Sequence, residues 1–409
     1  ASYSLVFLPT TIPDTMDFAS LTICNTRLLY PANEVDPMFS TTDKLAWALA
    51  TQWSGVNITP FELDDIWCCI GMAGFMVFQA IKRLFGTNEL HYRLKLLNEA
   101  IVNQDWEMQP LGAFFSDFSR PISNTSRDLD FIRLKAPMVL FILDRRMTKT
   151  ERSFGMSRVL PKIFLQAMSG ELANNALTAA HFQHVCERVN KSKLESFFQQ
   201  WVYSCGVPIF RVTQRFNKKR MVIEMGIRQC QDEELGEHKI VGPNGFTRSA
   251  LNHIENPYRN VEPFFTGSMT IRIHEADGTP YEHIVEINDV FTKIDIQYNT
   301  KFRRTRGRGA MTKSASNVGS IQDDHGEEND DDIVKLGVVL DNAAARSAWS
   351  LTPVDKTTEA NEQQIISEAY EWIRIDSDFE WISKIMINQP DYMFASQLQQ
   401  DVDVGAQVD

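Results

Sequence analysis

Two histidines, His181 and His184, stand three residues apart in a helical stretch, where two imidazoles share a face and could approach one metal ion. No third ligand is evident beside them, and we read them as ordinary histidines. The six cysteines (Cys24, Cys68, Cys69, Cys186, Cys205 and Cys230) include no C-x-x-C pair. They read as reduced, mostly buried thiols of a reducing compartment. Two basic runs could meet phosphate. Arg215, Lys218, Lys219 and Arg220 gather at a turn, and Arg303, Arg304, Arg306 and Arg308 lie in a Gly/Arg-bearing segment. Cations so placed bind nucleic-acid backbone with an affinity that falls steeply with salt. Equally, the first run is a solvated turn, and the second can pair with the acidic run that follows it. We expect no cofactor and no bound metal.

The elements that carry these residues follow from pattern and punctuation. Ser4–Leu8 and Leu21–Cys24 read as strands around a Pro-bearing loop. From about 42 to 186 the period is mainly helical, with Thr42 an expected N-cap and Thr59-Pro60 the expected opening of a second helix. Thr178 is a third expected cap, and the helix over Leu194–Tyr203 carries Phe197, Phe198 and Trp201 as core. After Pro208 the period becomes 2. Phe210–Val212 and Met221–Met225 flank the basic turn, and Asp277-Gly278 joins Met269–Ile273 to His283–Ile287. Ile294–Tyr298 and Tyr370–Ile375 complete an expected β-sandwich. From Asp376 to about Gln400 the pattern reads as helical.

Composition bounds the class. A chain of 409 residues with 8 Trp and 26 Phe can bury a large aromatic core and form two or three domains. More than half of the net charge of −12 sits in Asp323–Asp332, which holds seven acids and no Lys or Arg. The acidity therefore describes one segment more than the surface. No run of eighteen apolar residues predicts a membrane span, and no charged-then-apolar leader opens the chain. The chain starts at Ala1 on an apolar strand, which we read as an internal start in a longer protein.

The stretch Lys44–Ala73 (KLAWALATQWSGVNITPFELDDIWCCIGMA) resembles, without a gap, the zinc-site segment of the gluzincin aminopeptidases. That family's H-E-x-x-H sets two imidazoles at i and i+4 on one helical face with a general base between them, and the next helix adds a glutamate. Gln52, Trp53, Gly55, Thr59, Asp65, Trp67, Gly71 and Ala73 match in place. The resemblance puts Trp47 and Thr51 at the histidines, Ala48 at the base and Ile70 at the third ligand. Trp, Ala and Ile carry no group that ligates zinc, and we expect Trp47 and Ile70 to fill the site. Asp14–Phe18 resembles the exopeptidase motif, with Asp17 where a glutamate would hold the substrate amine. Arg133 stands where the catalytic tyrosine would, ahead of the apolar run Pro137–Leu143. The resemblance thus implies an aminopeptidase frame without its chemistry and without a small-molecule substrate. An active zinc aminopeptidase would need a His/Glu/Asp set elsewhere.

The strings Phe197–Met225, Ile273–His283, Trp372–Trp381 and Gln389–Gln400 resemble the TBP-associated-factor-two family of TFIID subunits. That resemblance implies an α+β multidomain chain. Residues 1–204 would form an inactive, mainly helical thermolysin-like (gluzincin aminopeptidase) domain. Residues 205–377 would form the β-sandwich, with a disordered insertion at about 303–335, and 378–409 would begin a helical-repeat domain. It further implies a nuclear scaffold with other TFIID subunits and core-promoter DNA as partners, no membrane contact, and a leading β-domain and helical repeats outside this chain. A pseudo-peptidase adaptor without DNA contact is the alternative.

Overall fold

The computed structural model describes residues 2–9, 13–31, 33–105, 108–113, 125–149, 154–217, 219–231, 261–275, 280–299 and 372–407. It begins with three strands, β1 (Ser4–Leu8), β2 (Thr15–Phe18) and β3 (Leu21–Asn25), in the order β1-β3-β2. β1 runs parallel to β3 and β2 antiparallel to it. The loop expected before Leu21 therefore contains a strand of its own, and that strand carries Asp17.

Among the described residues seven helices follow: α1 (Asp36–Trp53), α2 (Ile66–Phe85), α3 (Thr87–Gln104), α4 (Thr125–Thr148), α5 (Met156–Ser169), α6 (Ala179–Asn190) and α7 (Glu195–Trp201). α1 starts six residues before the expected cap at Thr42, because Pro37 occupies its first turn with a preset φ. Thr59-Pro60 does not open a helix either. It forms a short strand, β4, parallel to β5 (Ala176–Leu177), with Phe61 N donating to Leu177 O at 3.0 Å. A 3-10 turn, Leu63–Asp65, follows, with a reciprocal capping box between Glu62 and Asp65, and α2 then begins at Ile66. Thr178 caps α6 as expected, its hydroxyl accepting from His181 N at 3.1 Å.

α2 is the hub of the helical part and packs on α1, α3 and α4. Together with its preceding turn it is long and apolar enough to cross a membrane by length and composition. Its apolarity belongs to a core helix, with Trp67, Met72, Phe75 and Phe78 all buried. An aromatic relay leaves it: Trp67 meets Phe182 and Phe198, Phe197 meets Trp201, and Trp201 meets Phe265 and Trp381. Trp381 stands edge-on to Phe210 at 5.2 Å. All six cysteines are buried thiols outside any disulfide.

The remaining described strands form two sheets. β6 (Ile209–Asn217), β7 (Val222–Cys230), β10 (Phe291–Gln297) and β12 (Lys384–Asn388) take the order β10-β7-β6-β12. β8 (Gly267–His274), β9 (Pro280–Ile287) and β11 (Trp372–Ile375) take the order β11-β8-β9. β12 replaces the helical start expected after Asp376. Asp376 turns the chain at φ 54° and its carboxylate accepts from the Glu380 and Trp381 amides. The next residues then pair in parallel with β6. Only beyond Pro390 does a helix begin, α8 (Asp391–Gln400), followed by α9 (Val404–Gln407). The expected insertion at 303–335 and the turn at Asp277-Gly278 lie outside the described residues.

One buried ion pair joins the helical and sheet parts. Lys135 of α4 and Asp105, just past α3, are 1% and 2% exposed and lie 2.6 Å apart. The other carboxylate oxygen accepts from Gly206 N at 2.6 Å, at the entry to β6. Cys205 Sγ donates to Met108 O beside it. Breaking a buried pair from one side leaves an uncompensated charge, which costs about 3–5 kcal/mol. Lys135→Met is expected to lose that much in urea unfolding. Adding Asp105→Asn should recover part of it, because an amide oxygen still accepts from Gly206 N.

Candidate functional site

β2, α1, α2, α3 and α4 line an open cavity of about 1260 Å³. Five of the six positions that the aminopeptidase resemblance singled out line it: Asp17 from β2, Trp47 and Thr51 from α1, Ile70 from α2 and Arg133 from α4. Ala48 does not, being fully buried in the core beneath. The expectation that Trp47 and Ile70 close the site is corrected, since both are only half-buried and remain wall residues of an open space. The reason is where the indole rests. A Cβ on Gly74 of α2 would lie 2.8 Å from Trp47 Cη2 and 2.6 Å from Pro137 Cβ, so the ring tip occupies a notch that only glycine leaves. Trp47 lies along the wall instead of crossing the space.

Arg133 and the apolar run after it share one helix. The helix does not start at Pro137 but runs through it, from Thr125 to Thr148, with Arg133 inside. Pro137 lacks the N–H that would bond the Arg133 carbonyl four residues earlier. The apolar run Met138–Leu143 is almost fully buried, and its burial holds the helix together across that gap.

The polar groups of the cavity do not converge on a metal. Thr51 Oγ1 donates to the Trp47 carbonyl at 2.8 Å, which commits its proton to the backbone. Ser54 Oγ donates to Cys69 O at 2.9 Å. The Cys69 thiol lines the space, and burial pushes its pKa up to about 12, so it is neither a thiolate nucleophile nor a ready ligand. Asp14 pairs with Arg27 and Lys44, and Arg93 pairs with Asp43 and Glu89, so these rim charges neutralise one another. Among the described residues no group of three His, Cys, Asp or Glu could hold a metal ion. His181 instead meets the Gln166 amide at 3.1 Å and His184 meets Arg188 at 3.0 Å.

Asp17 keeps a polar chain of its own. Tyr3 OH donates to Thr22 Oγ1 at 2.8 Å, which donates to Asp17 Oδ1 at 2.6 Å. Partial burial raises the Asp17 carboxyl above its ordinary pKa, and the Thr22 hydroxyl and the Arg133 charge offset part of that rise. Asp17 and Arg133 both line the space, one from β2 and the other from α4.

The basic hairpin joins β6 to β7. Arg215 and Lys219 are exposed, whereas Arg220 pairs with Asp295 at 2.9 Å and Glu224 at 3.6 Å. Lys218, Arg303, Arg304, Arg306 and Arg308 lie outside the described residues. Sequence reading missed the cations of the strands themselves, Arg211, Arg228 and Lys293. Their signal is the period-2 alternation along β6, β7 and β10.

Comparison with known proteins places the chain among relatives. Residues 205–390 match the family model described as the TAF2 Ig-like domain. The whole chain aligns with Transcription initiation factor TFIID subunit 2 of Saccharomyces cerevisiae at 63% identity, covering 29% of that protein. The protein of the same name from Schizosaccharomyces pombe is 43% identical over all of this chain, which covers 34% of it. The chain therefore spans about a third of the length of these relatives. In fold it is similar to a crystal structure of Legionella pneumophila aminopeptidase A in complex with aspartic acid, with TM-score 0.57 and 10% identity. That likeness covers 98% of this chain and 34% of that one.

Two outcomes test this geometry. Gly74→Ala gains about 1 kcal/mol of helix propensity, but its methyl meets Trp47 and Pro137, and overpacking of this kind costs about 1–3 kcal/mol. A lower melting temperature is expected. The raised Asp17 pKa means that the folded state holds this proton more tightly than the unfolded one. Stability from this group is therefore present at acid pH and lost as pH rises from the unfolded pKa through the folded one. Asp17→Asn should be more stable than the parent at neutral pH, with the difference vanishing at acid pH in paired urea titrations.

Proposed function

Because this chain belongs to the TFIID subunit 2 family, we propose that it serves transcription initiation as a non-catalytic scaffold that contacts core-promoter DNA. The observation that carries the loss of chemistry is the cavity wall. The zinc-ligand positions hold an indole, a backbone-bonded threonine and an isoleucine, none of which binds zinc or moves a proton. Trp47 and Ile70 have no lone pair to offer, and the nearest thiol is protonated.

A scaffold reading also suits the joint between the two parts. The Lys135–Asp105–Gly206 connection and the aromatic relay to Trp381 make a stiff body, which suits a part that positions other subunits. We place it in the nucleus, with other TFIID subunits as protein partners and with the helical and sheet regions as successive domains meeting near residue 204. The insertion after β10 belongs to the same proposal, with the start of a further domain moved beyond Pro390, because Lys384–Asn388 is a strand of the sheet. The basic hairpin at Arg215 and Lys219 contributes to the DNA contact.

The test combines two measurements on the 409-residue chain. With one equivalent of zinc it should release no product from an aminoacyl anilide, and elemental analysis should find no stoichiometric zinc. In a mobility-shift titration it should bind a duplex carrying initiator sequence, with affinity falling steeply between low and physiological salt. Turnover would reject the non-catalytic reading, and absence of any duplex binding would reject the promoter contact.

A further inference from the structure

The four-stranded sheet turns one face inward and the other to solvent. Across the strand order β12-β6-β7-β10, the registers lay the outward residues out as a grid. One row reads Met386, Arg211, Arg228, Phe291. The next reads Asn388, Thr213, Gly226, Lys293, and the third reads Arg215, Glu224, Asp295. Arg211, Arg215, Arg228 and Lys293 are exposed.

Two features of this face are costly for a surface that meets only water. Arg211 and Arg228 are direct cross-strand partners, and like charges opposite one another destabilise a sheet. Phe291 is 57% exposed beside them, and its ring covers Gly226, where a Cβ would lie 3.2 Å from Phe291 Cζ. The two carboxylates of the face, Glu224 and Asp295, do not relieve the arginines. Arg220 at the hairpin holds both, and Asn217 Nδ2 donates to Glu224 at 2.8 Å. The acids are thus neutralised from the tip, and the cations of the first two rows are left facing outward.

Neighbouring strands are about 4.8 Å apart, and alternate residues on a strand about 7 Å apart, so Arg211, Arg228, Lys293 and Arg215 fit within roughly 10 by 14 Å. Four cations over about 14 Å match the phosphate spacing of one DNA strand, about 3.4 Å of axis per charge. Guanidinium forks bind phosphate in two-point fashion, and an anion between Arg211 and Arg228 removes their repulsion.

We propose that this outward face, centred on Arg211, Arg228 and Lys293, is the surface on which the chain takes the phosphate backbone of duplex DNA. It rests on the promoter-contact reading above and moves the centre of contact from the hairpin tip to the sheet below it. Arg220 then acts as a positioning residue, holding Glu224 and Asp295 away from the phosphates, while Arg215 continues the patch towards the tip.

The experiment is a fluorescence-anisotropy titration of a 30-base-pair promoter duplex over a salt series, using the whole chain. The triple variant Arg211→Glu, Arg228→Glu, Lys293→Glu is expected to weaken binding at least about tenfold near 0.1 M salt. Its slope of log affinity against log salt should flatten by about 3, since each phosphate that is no longer neutralised removes about 0.9 from the slope. Arg211→Lys with Arg228→Lys should keep most of that slope, and Arg83→Glu, on α2, should change neither quantity. A second readout uses the unaltered chain: duplex should shield Lys293, but not Lys162 on α5, from acetylation. Unchanged binding by the triple variant together with an unshielded Lys293 overturns the face while leaving the promoter contact standing. No binding by the parent chain overturns both. Binding of polyglutamate through this face, without duplex binding, assigns it to an acidic protein and also overturns the proposal.

Discussion

The ion pair of Lys135 with Asp105 is the constraint on which the arrangement turns. A lysine and an aspartate, each nearly without solvent exposure, are tolerable only together, and the second carboxylate oxygen is satisfied by a backbone amide across the joint. The consequence reaches the cavity. Successive helical residues are rotated by about 100°, so fixing Lys135 inward turns Arg133, two residues earlier, to the opposite side of α4. Arg133 therefore reaches the space that Asp17 lines. The same carboxylate fixes Gly206, whose φ of 96° turns the chain out of the helical part and into β6.

Bulky apolar side chains line the cavity without filling it. The Trp47 indole and the Ile70 side chain bring apolar bulk to its wall. Here Gly74 and the ring of Pro137 provide a slot for the indole, and the space stays open. The rim charges close on themselves in two clusters, Asp14 with Arg27 and Lys44, and Arg93 with Asp43 and Glu89. Arg93 also lies over the rings of Phe39 and Phe85 at 5.9 and 5.8 Å, which ties α3 to the ends of α1 and α2. These charges serve architecture, since a paired charge near apolar rings orients helices without leaving a field for a substrate.

The sheet face is organised by the reverse logic. Its acids are held by one arginine from the hairpin, and its strand cations are left without that compensation. Charge segregation of this kind costs a sheet stability through like-charge neighbours, and an outward-facing phosphate partner would offset the cost.

Much of this was legible in the sequence. The period change after Pro208, the Thr178 cap and the helix holding Phe197, Phe198 and Trp201 are local signals, and the structure follows them. Side-chain identity at positions 47, 48, 51 and 70 determined what these positions cannot do, because no packing gives a tryptophan or an isoleucine a metal-binding lone pair. Tertiary structure decided the rest. Thr59-Pro60 has the sequence of a helix start yet pairs with Ala176-Leu177, a partner more than a hundred residues away. Lys384–Asn388 took its strand from β6 in the same way. Whether the cavity was filled or open depended on a glycine of α2 and a proline of α4 meeting one ring, and whether Arg220 was free depended on Asp295 of β10. The sequence by itself determined which groups are available. Which of them remain uncommitted was decided only by the meeting of distant segments, because pairing and packing energies arise where chains meet and leave no local pattern to read.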